Sequence, residues 1–455
     1  MEIKFIKNEA TVSGQITINL VKADYEDLVK KTLKETAKKA SIPGFRPGKV
    51  PASLIKKFYG THAKIEAVNK KVEESLFTYI DDNKLNVLGQ PVAADNHEAQ
   101  DIEHQDDFIF VFDLPLAPEF EVSLSADDKV AYYDISVEEK EVDDRLNELR
   151  SRAGENVEVE VCEERDLLRG TLSQLNEEGN APLEGGLVVE SSLLMPAYFA
   201  NKDEAKSFIG AHKNDVVTFN PSKAYEGRDA ELAGLFKVSK DEVANYAGLF
   251  SFQIDSISRF VPAEVNEEFF KKIYGEDTEV KSEEQVRELI KGDLSKAYAA
   301  DSDYRLFLDV KKKLMQDTAA VKFPEDLLKK VLKHANEEKK EELTDEQFTQ
   351  ALEELRWDMI RTKLASQFEV KVEDADVKAS AIEAARYQFA QYGMNNIPDE
   401  YLENFAQSML KDQNRVNGLV QHALNQKLIV KMKDTVTLEH KTVTSEEFAK
   451  LSEAE

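Results

Sequence analysis

Apolar residues near the N-terminus follow two different periods. One stretch has a broken alternation of apolar and polar positions and another is a compact aromatic and β-branched run, and both predict β-strands. Two others repeat apolar positions every three to four residues, which predicts helices. The strand-like stretches are Val12–Leu20 and Phe108–Phe112, and the helical ones are Tyr25–Ala40 and Ile65–Ile80. Asp24 is the expected N-cap of the first helix. The pattern therefore predicts an α+β domain over residues 1–118.

The pattern changes twice in the middle of the chain. Residues 119–162 begin as extended chain and continue as a charged helical stretch, Val137–Arg152. Between residues 163 and 262 glycines recur and short β-rich runs such as Val216–Phe219 appear. Glycines that separate short β-rich runs are typical of a small strand-rich domain, which we expect here.

Residues 263–455 are almost wholly helical in pattern. Pro324 and Pro398 are the only prolines in this part of the sequence. Capping boxes at Ser282–Gln285 and Thr344–Gln347 predict two helix starts. Long amphipathic helices with short breaks predict an elongated all-α domain with much surface, rather than a compact catalytic core. The whole chain is thus predicted to be a multidomain α+β protein.

Charge is distributed unevenly along the chain. The 455 residues contain 60 Lys and Arg and 88 Asp and Glu, for a net charge of −28. Residues 1–71 contain 15 basic and 7 acidic side chains, a net charge of +8, so the rest of the chain carries −36. A cationic region such as residues 1–71 commonly binds phosphate backbones or acidic proteins. A strongly acidic remainder repels nucleic acid and stays soluble.

Several classes of protein are not expected from this sequence. It has no apolar run of roughly 18 residues, so no transmembrane helix is predicted. The first residues lack the apolar block of a signal peptide, so we expect a cytoplasmic protein that does not bind membranes. The single cysteine, Cys162, is expected to be a small buried residue. Scattered histidines and the lack of a nucleotide fingerprint predict neither a metal site nor another cofactor.

The segment Ile42–Pro51 is the sharpest local signal. Its three prolines and two glycines must end the preceding lysine-rich helix and form a constrained loop. A phosphate-binding P-loop is the obvious rival, because the segment contains Gly48-Lys49. However, only three residues separate Gly44 from Gly48, and Val50 stands where a P-loop needs Ser or Thr. A structural turn and a docking loop remain as the two interpretations.

The docking interpretation depends on the side chains at the tip of this loop. Phe45 could fill a pocket on a partner, beside the cations Arg46 and Lys49. The motif Gly44-Phe45-Arg46-x-Gly48-Lys49-x-Pro51, between a basic helix and a second helix, closely resembles the ribosome-binding signature of the trigger factors, which are bacterial ribosome-associated chaperones. The order of the predicted domains and the length of the chain resemble that family as well.

This resemblance implies a set of partners and roles. Its binding loop would consist of Gly44, Phe45, Arg46, Gly48, Lys49 and Pro51. Docking would occur on the large ribosomal subunit beside the nascent-chain exit tunnel, through a ribosomal protein and ribosomal RNA. Contact with RNA should also draw on the lysines of the two helices and weaken with salt. Residues 119–162 would join the C-terminal body, and the free protein would be able to form a weak homodimer.

The middle domain of trigger factors resembles FKBP-type peptidyl-prolyl isomerases. In those enzymes an aromatic pocket eases rotation of the X-Pro amide over a barrier of roughly 18–20 kcal/mol. Leu183 replaces the Phe of the family's Phe-x-Gly-Gly turn, and Tyr225 and Phe252 can be placed on pocket aromatics. Two departures are Met195–Ala200, where the family has a Pro-Gly-Phe-Glu helix start, and the insertion Lys237–Gly248. The resemblance implies an FKBP-like fold and leaves prolyl isomerisation as the alternative principal activity.

The leading prediction is an ATP-independent chaperone that binds nascent or unfolded polypeptides and delays their misfolding. Its helical domain would hold clients on exposed apolar patches, while acidic charge keeps the complex soluble. Residues on such amphipathic stripes ordinarily pack between helices, so a core role is the alternative for each of them. The candidate client contacts are Tyr387, Phe389, Tyr392, Met394, Tyr401 and Phe405.

Overall fold

The computed structural model describes residues 1–41, 43, 45, 49–95, 100–339, 343–394 and 397–453. The chain divides into two compact units. One unit contains Met1–Tyr132 and Asp303–His440, and the other contains Tyr133–Ser302 and the described residues from Lys441 onward. Each unit is therefore discontinuous in sequence.

The N-terminal part of the first unit is an antiparallel sheet packed against two helices. The elements are β1 (Glu2–Asn8), β2 (Ser13–Leu20), α1 (Lys22–Lys39), α2 (Ala52–Asp82), β3 (Val92–Ala93) and β4 (Phe108–Pro115). The strand order is β1-β2-β4-β3. Alternate residues of β2, Ile16 and Ile18, are fully buried against Val68 and Val72 of α2. This alternation is the one that the apolar pattern predicts.

Two details of these helices differ from the sequence-based expectation. Asp24 is not the N-cap of α1, because the helix begins at Lys22 and Val21 precedes it. Its carboxylate instead accepts the backbone N–H of Val21, 2.9 Å away, and so satisfies an unpaired donor from inside the first turn. The second difference is that α2 is one continuous helix of 31 residues.

The second unit contains a five-stranded antiparallel sheet between helices. Its long strand β10 pairs with β7 along one edge and with β9 and β6 along the other, while β8 pairs with β7. The strand β5 (Lys129–Ser136) begins in the first unit and ends in the second. After it the elements of the second unit are, in chain order, α3 (Glu139–Ala153), β6 (Glu155–Val159), β7 (Leu167–Gln174), β8 (Val188–Leu194), α4 (Lys202–Lys206), β9 (Val216–Phe219), α5 (Pro221–Tyr225), α6 (Asp229–Phe236), β10 (Phe250–Val261) and α7 (Glu267–Tyr274).

Helices dominate the rest of the chain, as the sequence predicts. They are α8 (Glu283–Asp317), α9 (Glu325–Lys339), α10 (Asp345–Gln367), α11 (Asp374–Gln391), α12 (Asp399–Met409), α13 (Gln413–Thr435) and α14 (Ser445–Glu453), with β11 (Thr437–Thr444) before the last. The capping box at Thr344 is confirmed: its hydroxyl accepts the N–H of Gln347 at 3.2 Å, and the Gln347 side chain accepts the N–H of Thr344 at 3.0 Å. The strand β11, which pairs with β5, was not expected.

Part of the first unit's core joins segments that are far apart in sequence. Leu124 and Val130 lie in one buried cluster with Leu306 of α8 and Ile429 of α13. The backbone of Leu124 also exchanges two hydrogen bonds with the side-chain amide of Gln367, 243 residues away, at 3.1 and 2.8 Å. The mixed α/β multidomain fold class is confirmed. Within the described residues, no helix has both the length and the apolar character that crossing a membrane requires.

Candidate functional site

The loop between α1 and α2 carries the residues expected to bind the ribosome. The side chain of Phe45 is 41% exposed, and that of Lys49 is exposed as well. Pro51 directly precedes α2, and its carbonyl accepts the N–H of Ile55 at 3.1 Å, which fixes the start of the helix. The described part of the loop thus presents an aromatic ring and a cation to solvent. Outside the described residues lie Gly44, Arg46 and Gly48.

The helices on either side of this loop carry lysines without ion-pair partners among the described residues. Lys22 and Lys64 are exceptions, because both pair with Asp106. Lys30 is a third, because it lies 3.2 Å from Asp27 and 3.6 Å from Glu26, and the hydrogen bond to Asp27 raises its pKa. Unpaired cations remain available to a polyanion, since no carboxylate of the chain has to be displaced. The unpaired lysines of the two helices include Lys31, Lys34, Lys38, Lys39, Lys56 and Lys57.

The six candidate client contacts lie on one helical hairpin, formed by α11 and α12 and hereafter called the α11–α12 hairpin. An ion pair between Arg386 and Asp399, 3.7 Å apart, connects the end of α11 with the start of α12. The tyrosines are the most exposed candidates, at 68% for Tyr387, 77% for Tyr392 and 66% for Tyr401. These side chains do not serve the hairpin's own packing.

The other candidates on the α11–α12 hairpin divide between surface and interior. Met394 is about half exposed, like a surface residue. Phe389 and Phe405 are only partly exposed, and their ring centroids lie 5.2 Å apart, so they pack α11 against α12. Four of the six candidates are therefore accessible to a partner, and two hold the hairpin together.

The middle-domain candidates Tyr225 and Phe252 are enclosed in a single aromatic core. The ring of Tyr225 lies 5.0 Å from that of Phe199, and the ring of Phe252 lies 6.1 Å from that of Phe208. Burial, with a smaller contribution from a nearby glutamate, raises the pKa of Tyr225 to about 12. Leu183 is exposed on a tight surface turn and does not belong to this core. The structure thus brings two of the three candidates together and places the third elsewhere.

The insertion Lys237–Gly248 and the residue before it, Phe236, add further apolar side chains to this core. Phe236, at the end of α6, stacks on Phe250 with 5.1 Å between ring centroids. Val243, within the insertion, is buried in the same cluster. Lys237 donates to the carbonyl oxygen of Glu190 on β8 at 2.7 Å, which ties the start of the insertion to the sheet. The rings of this core therefore pack against one another and against the insertion.

A buried ion pair in the same domain escapes sequence analysis. Asp166 is 1% exposed, and its oxygens accept hydrogen bonds from Nε and Nη2 of Arg259 at 2.8 and 2.7 Å. Burial alone would raise the pKa of Asp166, but these bonds and the N–H of Glu163 bring it below its usual value. The partners are 93 residues apart, so no local pattern predicts the pair.

Two further expectations concern reactive groups. Cys162 is 1% exposed, and burial raises the pKa of its thiol to about 12, so its prediction as a small buried residue is confirmed. In the part of the chain that the structure describes, no group of three or more His, Cys, Asp or Glu side chains is arranged to hold a metal ion.

In comparison with known proteins, three models of one protein family match most of the chain. A family model for "Bacterial trigger factor protein (TF)" matches residues 1–149. Models for "Probable trigger factor, FKBP-like domain" and "Probable trigger factor, C-terminal domain" match residues 156–262 and 302–452.

Individual relatives carry the same name. The trigger factor of Pseudomonas syringae pv. syringae is 25% identical over 92% of this chain and 94% of its own length, and that of Pseudomonas putida is 26% identical over 99% and 98%. A solved structure described as "Promiscuous Substrate Recognition in Folding and Assembly Activities of the Trigger Factor Chaperone" is 18% identical, with a TM-score of 0.49 over 95% of this chain and 99% of that chain. Because the three family models follow one another along most of the sequence, the chain belongs to the trigger factor family.

Proposed function

We propose that this protein is an ATP-independent, ribosome-associated chaperone of the cytoplasm that holds nascent or unfolded polypeptides. In this proposal residues 1–118 bind the large ribosomal subunit near its exit tunnel, and residues 163–262 form the FKBP-like domain. Residues 263–455, joined by residues 119–162, hold the client. Membership of the trigger factor family supports the chaperone function.

One observation carries the docking part of the proposal. The loop between α1 and α2 exposes Phe45 and Lys49 between two helices whose lysines are largely unpaired. An exposed aromatic ring beside cations suits a partner that has an apolar pocket next to phosphates or carboxylates.

The client-binding part rests on the α11–α12 hairpin. Tyr387, Tyr392, Met394 and Tyr401 expose flat or flexible apolar surface with polar tips or a polarisable sulfur. Such side chains form many small contacts with varied partners, which suits the holding of unrelated unfolded chains. Phe389 and Phe405 would then contribute by shaping the hairpin rather than by touching the client.

The alternative, prolyl isomerisation as the principal activity, is not favoured. The family relationship supports a chaperone. Tyr225 and Phe252 are buried among their own neighbours, so they offer little surface to an X-Pro segment. Isomerisation of a short X-Pro peptide by the intact protein should therefore be slow compared with its effect on the aggregation of an unfolded protein.

The docking loop is tested by replacing Phe45, Arg46 and Lys49 together with alanine. Loss of the anchor and two cations should lower affinity for ribosomes at least tenfold, because hot-spot residues carry most of the energy of an interface. Co-sedimentation with ribosomes measures this loss, and wild-type binding should weaken as salt is raised. Suppression of aggregation should stay unchanged.

A matched control removes one exposed aromatic residue and two lysines from the middle domain. The variant Tyr198→Ala, Lys213→Ala, Lys223→Ala fits, since all three side chains are exposed. It should co-sediment with ribosomes as the wild type does. Unchanged ribosome binding by the loop variant would contradict the loop assignment.

A further inference from the structure

Gly60 stands in the middle of α2, where glycine is less favourable than alanine because of its backbone entropy. A Cβ atom at this position would meet only Cγ of Lys56, at 3.6 Å, which is an ordinary contact. At Gly170, by contrast, a Cβ atom would lie 2.1 Å from the carbonyl oxygen of Gln253, so packing requires glycine there. The described packing of the chain does not require glycine at position 60.

Gly60 forms part of the wall of a groove of about 440 Å³ between α1 and α2. The apolar part of the lining comes from Tyr25, Val29 and Leu33 of α1. Thr61 is exposed next to Gly60 on the same wall. Because Gly60 lacks a side chain, a partner's side chain can approach the backbone of α2 directly at this point.

The charges in the groove are only partly neutralised. Lys22 and Lys64 both bond to Asp106, at 2.8 and 3.2 Å. Lys56 and Glu103 also line the groove, and their side chains make no ion pair or hydrogen bond with the described residues. The groove therefore offers a partner an apolar wall, one available cation and one available carboxylate.

We propose that this groove binds a protein segment of the ribosome in which an apolar side chain packs over Gly60. A carboxylate of that segment would lie near Lys56 and a basic group near Glu103, which complements the two unpaired charges. The proposal rests on the ribosome docking proposed above and adds a second contact beside the loop. Leu33 lies in the last two turns of α1 and Lys56 in the second turn of α2, and these helix ends lead into that loop.

A strand of RNA suits the groove less well. Glu26, Glu103 and Asp106 all contribute to the lining, and their carboxylates would repel phosphates. Val29 and Leu33 offer no hydrogen bonds to a sugar or a phosphate. The unpaired lysines of the surrounding helices, rather than the groove itself, are the better surface for RNA.

The test fills the groove with a side chain in the full-length protein. Gly60→Leu places a large side chain in the open space, while leucine favours a helix more than glycine, so Tm should be at least that of the wild type. Affinity for purified ribosomes should fall about tenfold, as expected for the loss of one anchoring contact. Gly418→Leu is the matched control, because Gly418 lies in α13 and also has open space at its Cβ. It should bind ribosomes as the wild type does.

The outcomes separate this inference from the proposed function. If wild-type protein binds ribosomes and Gly60→Leu binds equally well, the groove proposal is wrong and the docking loop stands. If wild-type protein does not bind ribosomes, both fail. A photo-crosslinking p-benzoylphenylalanine in place of Thr61 identifies the occupant on the ribosome. An adduct that survives nuclease and contains ribosomal peptides by mass spectrometry supports a protein segment, whereas an adduct removed by nuclease would overturn it in favour of RNA.

Discussion

Most aromatic side chains of the middle domain are buried in its core, whereas the tyrosines of the α11–α12 hairpin lie on its surface. Phe199, Phe208 and Phe252 are almost completely buried and pack against other rings. Tyr387 and Tyr392 of the hairpin expose more than two thirds of their side chains. Both the middle domain and the α11–α12 hairpin are rich in aromatic residues. In the middle domain most of these residues stabilise the core, whereas the tyrosines of the hairpin remain available to partners.

The ion pairs of the two regions differ in the same way. In the middle domain Asp166 is 1% exposed and bonded twice to Arg259. In the hairpin Arg386 and Asp399 are 65% and 91% exposed and 3.7 Å apart. A buried, hydrogen-bonded charge is costly to leave unpaired, while an exposed pair contributes little. The middle domain therefore depends on its interior, and the hairpin tolerates change at its surface.

The largest expected effect comes from Phe252→Ala. Removing this buried ring should lower the free energy of unfolding of the middle domain by about 3–5 kcal/mol, through lost burial and the cavity left behind. Tyr392→Ala in the hairpin should change stability by no more than about 0.5 kcal/mol. Hydrogen exchange of the β7 amides reports the first and that of the α11 amides the second. Similar losses from both substitutions would remove the contrast between the regions.

Asp166→Asn should have the next largest effect, of about 1–3 kcal/mol at neutral pH. The pKa of Asp166 is lower in the folded protein, so its stabilisation is present above the unfolded pKa of about 3.9 and is lost as pH falls through the folded value. Unfolding of the middle domain, followed from pH 7 to pH 3, should depend less on pH in the variant.

The exposed pair supplies the control for that measurement. Asp399→Asn should change the free energy of unfolding by less than about 1 kcal/mol, because both partners are solvated. A pH profile of Asp166→Asn identical to that of the wild type would mean that the buried carboxylate does not carry the predicted stabilisation.

The smallest effect concerns client binding by the hairpin. Tyr387→Ser with Tyr392→Ser should weaken binding of an unfolded protein about three- to tenfold, because each ring supplies one of several small contacts. Aggregation suppression at equal chaperone concentration measures it. The control, Tyr198→Ser with Phe58→Ser, removes two exposed aromatic residues outside residues 263–455. Equal losses in the two variants would argue against a client site on the hairpin.

Elements that local interactions determine could be predicted from the sequence. The strand around Ile16 and Ile18 and the helix start at Thr344 are both confirmed, because alternation and capping act over a few residues. The apolar pattern marks α2 only over Ile65–Ile80, although the helix begins at Ala52 and continues through Gly60 and Thr61.

Burial of the candidate side chains depends on partners that are distant in sequence. Tyr225 is buried because Phe199 and Phe219 belong to the same folded core, and no neighbouring residue signals this. Tyr387 and Phe389 are two positions apart on α11, yet only Phe389 packs against a ring of α12. The loop motif could be found from sequence because its residues are contiguous, whereas the α1–α2 groove depends on two helices packing together.

The core that unites Leu124 and Val130 with Leu306 and Ile429 bears on the order of events during synthesis. A ribosome adds about 5–20 residues per second, so the 243 residues between Leu124 and Gln367 take about 10–50 s to make. Leu124 and Val130 lack Leu306 until α8 is made, and they lack Ile429 until α13 is made, so their cluster stays incomplete for most of synthesis. A protein proposed to protect unfinished chains thus spends part of its own synthesis as an unfinished chain in need of the same protection.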